Sequence, residues 1–152
     1  MNQEIRLAGP QLSAETVHAS SVALDGRAVL ISGPSGAGKS DLALRLLDRG
    51  FTLVSDDQTI VRRDGDRLLA TAPPTIAGKL EIRGIGIVEM DRAADVPVAL
   101  AVELTSEIQR LPDDSRERLI LGIALPLISI DAMTASAPSK VAVALDRMGL
   151  KF

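Results

Sequence analysis

One stretch of eight residues constrains this 152-residue chain more than anything else in it. Gly33-Pro34-Ser35-Gly36-Ala37-Gly38-Lys39-Ser40 fits G-x-x-x-x-G-K-[ST], a glycine-rich loop set between a strand and a helix. The glycines let the backbone curl until successive N–H groups converge on phosphate oxygens, and the helix behind them adds the positive end of its dipole. Lys39 would then reach the β- and γ-phosphates, and the Ser40 hydroxyl would ligate magnesium. The flanks agree. Val29-Leu30-Ile31 reads as the strand. Asp41 to Arg49 reads as an amphipathic helix with Leu42, Ala43, Leu46 and Leu47 as its apolar stripe and Gly50 as its stop. A glycine turn that merely joins strand to helix is the bland alternative; with these flanks, a nucleotide such as ATP is the expected ligand.

The next strand, Thr52-Leu53-Val54, ends at Ser55-Asp56-Asp57. A strand–helix–strand crossover returns parallel, so both strands finish at one sheet edge and the two acids emerge beside the loop. A magnesium–nucleotide site needs a carboxylate near the metal, and phosphoryl transfer to a hydroxyl benefits from a second acid as base. Neighbours on extended chain point opposite ways, so one Asp could face the metal and the other an acceptor. Either alone reads as a solvated turn acid. Leu80-Glu81-Ile82-Arg83 alternates, placing Glu81 and Arg83 on one sheet face, with Gly84 and Gly86 where a strand could bend or admit a close neighbour. By itself that face is solvent-facing, His18 is a hydrogen-bonded structural histidine, and Arg110 is a surface arginine.

Asp25-Gly26 and Asp64-Gly65 mark hairpin turns between apolar runs, and Ser139 to Met148 reads as a closing helix. Many strands, two helices and a single βαβ unit predict one α/β domain over 1–152: a P-loop nucleotide-binding fold with a mixed sheet rather than a regular doubly wound one. Composition narrows function. There is no Cys and one His, which removes thiolate chemistry and multi-histidine metal sites. A net charge of -3, with Phe51 and Phe152 as the sole aromatics, argues against nucleic-acid partners. Asn2 is the only Asn, so the guanine-reading Asn-Lys-x-Asp of GTPases cannot occur. Leu119 to Ile130, the longest apolar stretch, is too short to cross a bilayer and no leader pattern precedes it, so a cytoplasmic protein with no membrane partner is expected.

Taken in order, these blocks resemble the kinase domain of HPr kinase/phosphorylase, whose fold is shared with PEP carboxykinase. His18 precedes the phosphate loop, Leu53-Val54-Ser55-Asp56-Asp57 follows it, Glu81-Ile82-Arg83-Gly84-Ile85-Gly86-Ile87 is similar to the family's signature segment, and Arg110-Leu111-Pro112 to its Arg-Leu-Gly block. The likeness runs from His18 to about Met148. It implies an ATP- and Mg2+-dependent protein serine kinase acting on HPr, the phosphocarrier of the sugar phosphotransferase system, and so regulating carbohydrate metabolism. Asp56 resembles the catalytic acid, which takes the serine proton and in the reverse, phosphorylase direction activates phosphate. Ser40, Asp57 and Glu81 resemble the magnesium environment, Lys39 the phosphate clamp, His18 a neighbour of the acid, and Arg83 and Arg110 groups near the transferred phosphoryl. The resemblance further implies a homo-oligomer, a hexamer in the family, and a short alphaproteobacterial-type form without a separate N-terminal domain. The family's Pro-Gly-Arg-Asn stretch stands here as Ala137-Pro138-Ser139-Lys140. A P-loop small-molecule kinase and a catalytically silent nucleotide sensor remain as alternatives.

Overall fold

The computed structural model describes residues 13–107 and 116–152. β1 (Ala14–Val17), β2 (Ala19–Leu24) and β3 (Arg27–Ser32) lead into the glycine loop, and α1 (Lys39–Leu47) and β4 (Thr52–Ser55) follow it. β5 (Thr59–Asp64) and β6 (Arg67–Thr71) form a hairpin, and β7 (Lys79–Ile82) with β8 (Gly86–Glu89) a detached two-stranded ribbon. β9 (Val96–Leu104), β10 (Arg116–Ile120), β11 (Ile123–Ile130) and α2 (Ala137–Met148) complete the order. The main sheet runs β1-β5-β6-β9-β3-β2-β4, with β11 joined to β9 and β10 to β11. It branches at β9. Val96 and Pro97 pair antiparallel with β6, Ala101 to Leu104 pair parallel with β11, and the opposite edge of β9 runs parallel to β3. This is the expected α/β mixed sheet.

Two cores lie on opposite faces of the central strands. Val29 and Ile31 of β3 and Leu100 and Val102 of β9 pack with Leu42, Leu46, Val141 and Leu145 of the two helices. Ala28 and Leu30, with Val98 and Ala101, face Val61, Leu68, Ile120 and Leu125 of the outer strands. A strand covered on both sides has no polar face to alternate, which is why Ala28-Val29-Leu30-Ile31 is unbroken apolar sequence.

The Asp25-Gly26 turn forms as expected, with φ of 52° and 76°, the double positive φ of a type I′ hairpin. In the second hairpin Asp64 pairs with Arg67, so the turn is Gly65-Asp66, one residue later than expected; Gly65 takes the positive φ of 66°. β3 and β4 do run parallel, but β2 lies between them, antiparallel to both. Their carboxyl ends therefore share one edge even though they do not touch. α1 starts two residues early because Gly38, at φ 100°, caps it in a conformation natural only to glycine. α2 likewise starts at Ala137, with Pro138 in its first turn, where a missing N–H costs nothing. No helix among the described residues is long and apolar enough to cross a membrane.

Candidate active site

The phosphate loop leaves β3 at Gly33 and enters α1 at Lys39. A Cβ at Gly33 would stand 3.0 Å from Leu104 Cβ, so the loop lies directly against the end of β9. Gly36 has a φ of 82°, and the Ala37 N–H donates to the Pro34 carbonyl at 3.0 Å, curling the chain as the motif requires. Lys39 is buried, and its Nζ donates to the carbonyls of Gly33 (3.0 Å) and Pro34 (3.4 Å), which holds the ammonium over its own loop. Pro34, Ser35, Gly36 and Ala37 line the curl between them.

Asp56 and Asp57 follow β4 in a tight bend. The Gln58 N–H donates to the Asp56 carbonyl at 2.7 Å, and Ser55 Oγ donates to the Gln58 carbonyl. The two acids have different surroundings. Asp56 is buried, its Oδ1 accepting from Ser40 Oγ at 2.6 Å and from Ser20 Oγ at 3.2 Å, and its Oδ2 from the Glu81 N–H at 3.1 Å. Asp57 holds a left-handed φ of 67° and keeps 58% of its side chain exposed. Its Oδ1 lies 3.0 Å from His18 Nε2, and its N–H donates to Ser20 Oγ at 3.0 Å. His18 sits at the junction of β1 and β2, which brings it over the end of β4.

Glu81 reaches the acids through its backbone; its side chain is exposed. Arg83 departs from expectation. β7 ends at Ile82, and Arg83 lies exposed in the turn to β8, off the strand face that Glu81 occupies. The alternation Leu80-Glu81-Ile82-Arg83 simply runs on past the last paired residue. A Cβ added at Gly84 (φ 88°) or Gly86 (φ 115°) would meet nothing within 4 Å among the described residues, so there these glycines serve the turn's backbone and not a close neighbour. Arg110, Leu111 and Pro112 lie outside the described residues.

On the other side of the loop, Glu103 of β9 stands beside Ser32 of β3 and Ser129 of β11. Its Oε1 accepts from Ser129 Oγ and from Arg116 Nη2, both at 2.6 Å, and Arg118 Nη1 donates to Ser32 Oγ at 2.6 Å. Hydrogen bonds from Ser129 and then Arg116 hold the Glu103 carboxyl below its ordinary value, against an opposing push from partial burial.

Among the described residues no three His, Asp or Glu side chains gather closely enough to cage a metal alone. Ser40 Oγ and Asp56 Oδ1 do supply adjacent oxygen donors. That fits magnesium, which binds through one or two carboxylates plus substrate phosphates and keeps several waters. The polar residue that sequence reasoning passes over is Ser20, fully buried between both acids. Its signal is a Ser-Ser pair inside an apolar strand, where each hydroxyl must find a partner.

Residues 11–148 match the family described as HPr Serine kinase C-terminal domain. The HPr kinase/phosphorylase of Chlorobium chlorochromatii (strain CaD3) is 35% identical over 150 residues, covering 89% of this chain and 44% of that protein. The HPr kinase/phosphorylase of Limosilactobacillus reuteri (strain DSM 20016) is 36% identical over 133 residues, covering 79% and 42%. The chain thus spans less than half the length of these relatives. The structure of the Hpr(Ser) kinase/phosphatase from Coxiella burnetii superposes with a TM-score of 0.77 at 30% identity, over 87% of this chain and 88% of that one.

Proposed function

Since this chain belongs to the HPr serine kinase family, we propose that it transfers the γ-phosphoryl group of ATP to a serine of an HPr-type phosphocarrier, with Mg2+ as cofactor. The observation that carries the reading is the division of labour between the acids: Asp56 tied to Ser40 of the phosphate loop, Asp57 open to solvent and held by His18. The N–H groups of the loop and the start of α1 would bind the β- and γ-phosphates. Lys39 would exchange the carbonyls of Gly33 and Pro34 for phosphate oxygens. Ser40 and Asp56 would hold the magnesium ion, which neutralises charge on those phosphates when bound.

We assign the base role to Asp57, the reverse of the roles that the resemblance implies for Asp56 and Asp57. Asp56 has its oxygens committed to three donors, whereas Asp57 offers a carboxylate on the open side. The substrate hydroxyl would give its proton to Asp57 as its oxygen bonds to the γ-phosphorus and the bond to the ADP oxygen breaks. His18 orients that carboxylate. Glu81 would join the metal environment through its exposed carboxylate, and Arg83 and Arg110 would neutralise the transferred group. A phosphocarrier as acceptor and ATP as donor fit an activity in the cytoplasm, carried out by a homo-oligomer of the family's kind. The relatives' names also pair the kinase with a phosphorylase; adding inorganic phosphate to the phosphorylated carrier tests that direction.

The test is transfer of labelled phosphoryl from Mg-ATP to HPr-type carriers of the same organism, by wild type and by Lys39→Ala. Serine labelling that Lys39→Ala abolishes is the expected result. A wild-type protein that binds ATP yet labels no carrier overturns the proposal. Labelling of a metabolite instead would point to a small-molecule kinase, and binding with no transfer at all to a sensor.

A further inference from the structure

We infer that Ser20 is a positioning residue that sets the backbone and side-chain geometry of both acids through a single hydroxyl. β2 carries Ser20 and Ser21 side by side, both fully buried, and the pleat sends them to opposite faces. Ser21 lies on the face of Ala19 and Ala23, where its Oγ pairs with Thr59 Oγ1 at 2.8 Å and Thr59 in turn donates to the Ala19 carbonyl. Ser20 lies on the face of Val22, toward α1, and among the described residues each hydrogen bond of its hydroxyl is to the acids. Its proton goes to Asp56 Oδ1, and its lone pair accepts the Asp57 N–H.

That second bond holds a conformation that needs holding. At φ 67°, Asp57 occupies the left-handed region that most L-residues avoid and that Asp enters with the help of local hydrogen bonds; here the Ser20 hydroxyl supplies one such bond. The first bond matters for a different reason. Ser40 shares Asp56 Oδ1 with Ser20. Were Ser40 to give its hydroxyl oxygen to a metal ion, Ser20 would still hold the carboxylate in place. The neighbouring charged groups, Lys39, His18 and Glu81, come from other elements and, among the described residues, make no hydrogen bond with the Ser20 hydroxyl.

The inference rests on reading Asp56 and Asp57 as the reaction's acids, and Ser21 provides the internal control. Ser20→Ala and Ser21→Ala each delete one buried hydroxyl from the same strand, so both should lower Tm by a similar few degrees, roughly 2–4 °C. Only Ser20→Ala should lower kcat, by about tenfold or more, with a smaller change in KM for ATP. Only Ser20→Ala should speed hydrogen exchange of the Asp57 amide, again about tenfold or more, as followed by NMR on the full chain. Should Ser20→Ala not fold, Ser20→Cys keeps the shape with a much weaker hydrogen-bonding group and should move the same two readouts. Equal kcat losses in the two alanine variants, or an Asp57 amide indifferent to Ser20, overturn the inference. Absence of phosphotransfer in the wild type strikes the functional reading instead, and the amide measurement then decides whether Ser20 holds the turn.

Discussion

Replacing Asp57 by Asn removes a charge while leaving the backbone undisturbed, because Asn tolerates the left-handed φ of 67° as Asp does. Among the described residues the one side-chain partner of its carboxylate is His18, in a pair whose members are 59% and 58% exposed. Exposed pairs of this kind contribute about 0–1 kcal/mol, so Tm should fall by no more than ~4 °C in a domain this size. Loss of a general base costs about 10²–10⁴ in rate, or ~2.7–5.4 kcal/mol of transition-state stabilisation. Asp57→Asn should therefore be a folded protein that binds Mg-ATP normally and transfers phosphoryl slowly. Asp56→Asn should behave differently. Its carboxylate accepts on both oxygens, from Ser40 and Ser20 on one and from the Glu81 N–H on the other. An amide has one acceptor end, so at least one of these buried or part-buried donors is left facing an NH2, at a cost of about 1–3 kcal/mol. The assay is single-turnover transfer to the carrier, with ATP affinity measured by calorimetry across a magnesium titration. If Asp57→Asn keeps kcat within about threefold, while Asp56→Asn loses transfer at unchanged magnesium dependence, the division of roles is refuted.

Gly38→Ala forces a side chain to φ 100° with its Cβ 3.2 Å from that of Ala132; left-handed strain alone is ~1–2 kcal/mol, and thermal unfolding should show a Tm loss of roughly 2–8 °C together with weaker ATP binding. Leu100→Ala, at a fully buried position of β9 facing both helices, should cost about 2–5 kcal/mol, read from the urea midpoint. Glu103 is held below its ordinary value of 4.5 in the fold, so its stabilisation is complete above that pH and disappears as pH falls through the lower folded value. Glu103→Gln should accordingly lose stability at neutral pH and show a shallower fall below pH 4.5; acid unfolding curves that differ by a constant offset would contradict this.

The phosphate loop was legible because its demands are local: glycine conformations, a preceding strand and a following helix are all written within one window. The location of Asp56 and Asp57 followed from chain direction alone, which survived the insertion of β2 between β3 and β4. Their different surroundings were not legible, since Ser40, Ser20 and His18 meet the acids only after folding. Arg83 misled because alternation of polar and apolar residues carries no mark of where pairing stops. Gly84 and Gly86 left a bend and a close approach both open, because positive φ and close approach each select glycine; φ values of 88° and 115° at the turn decide for the bend. In the last helix, Val141, Val143, Leu145 and Met148 read alike, yet Val141 and Leu145 are buried while Val143 and Met148 are largely exposed.

The branching of the sheet at β9 bears on how this chain comes together and falls apart. One strand makes pairings with β3, β6 and β11, which lie on both sides of it in sequence. None of these contacts is available to a short nascent segment, and each closes a long loop before any pairing enthalpy is recovered. Assembly around β9 should thus be slow, on the order of milliseconds to seconds. The same arrangement makes dissolution all-or-none. The helix-covered face and the strand-covered face draw on the same nine residues of β9, so neither can persist after the other has gone. Within the described main sheet, limited proteolysis should therefore release no stable half that lacks β9.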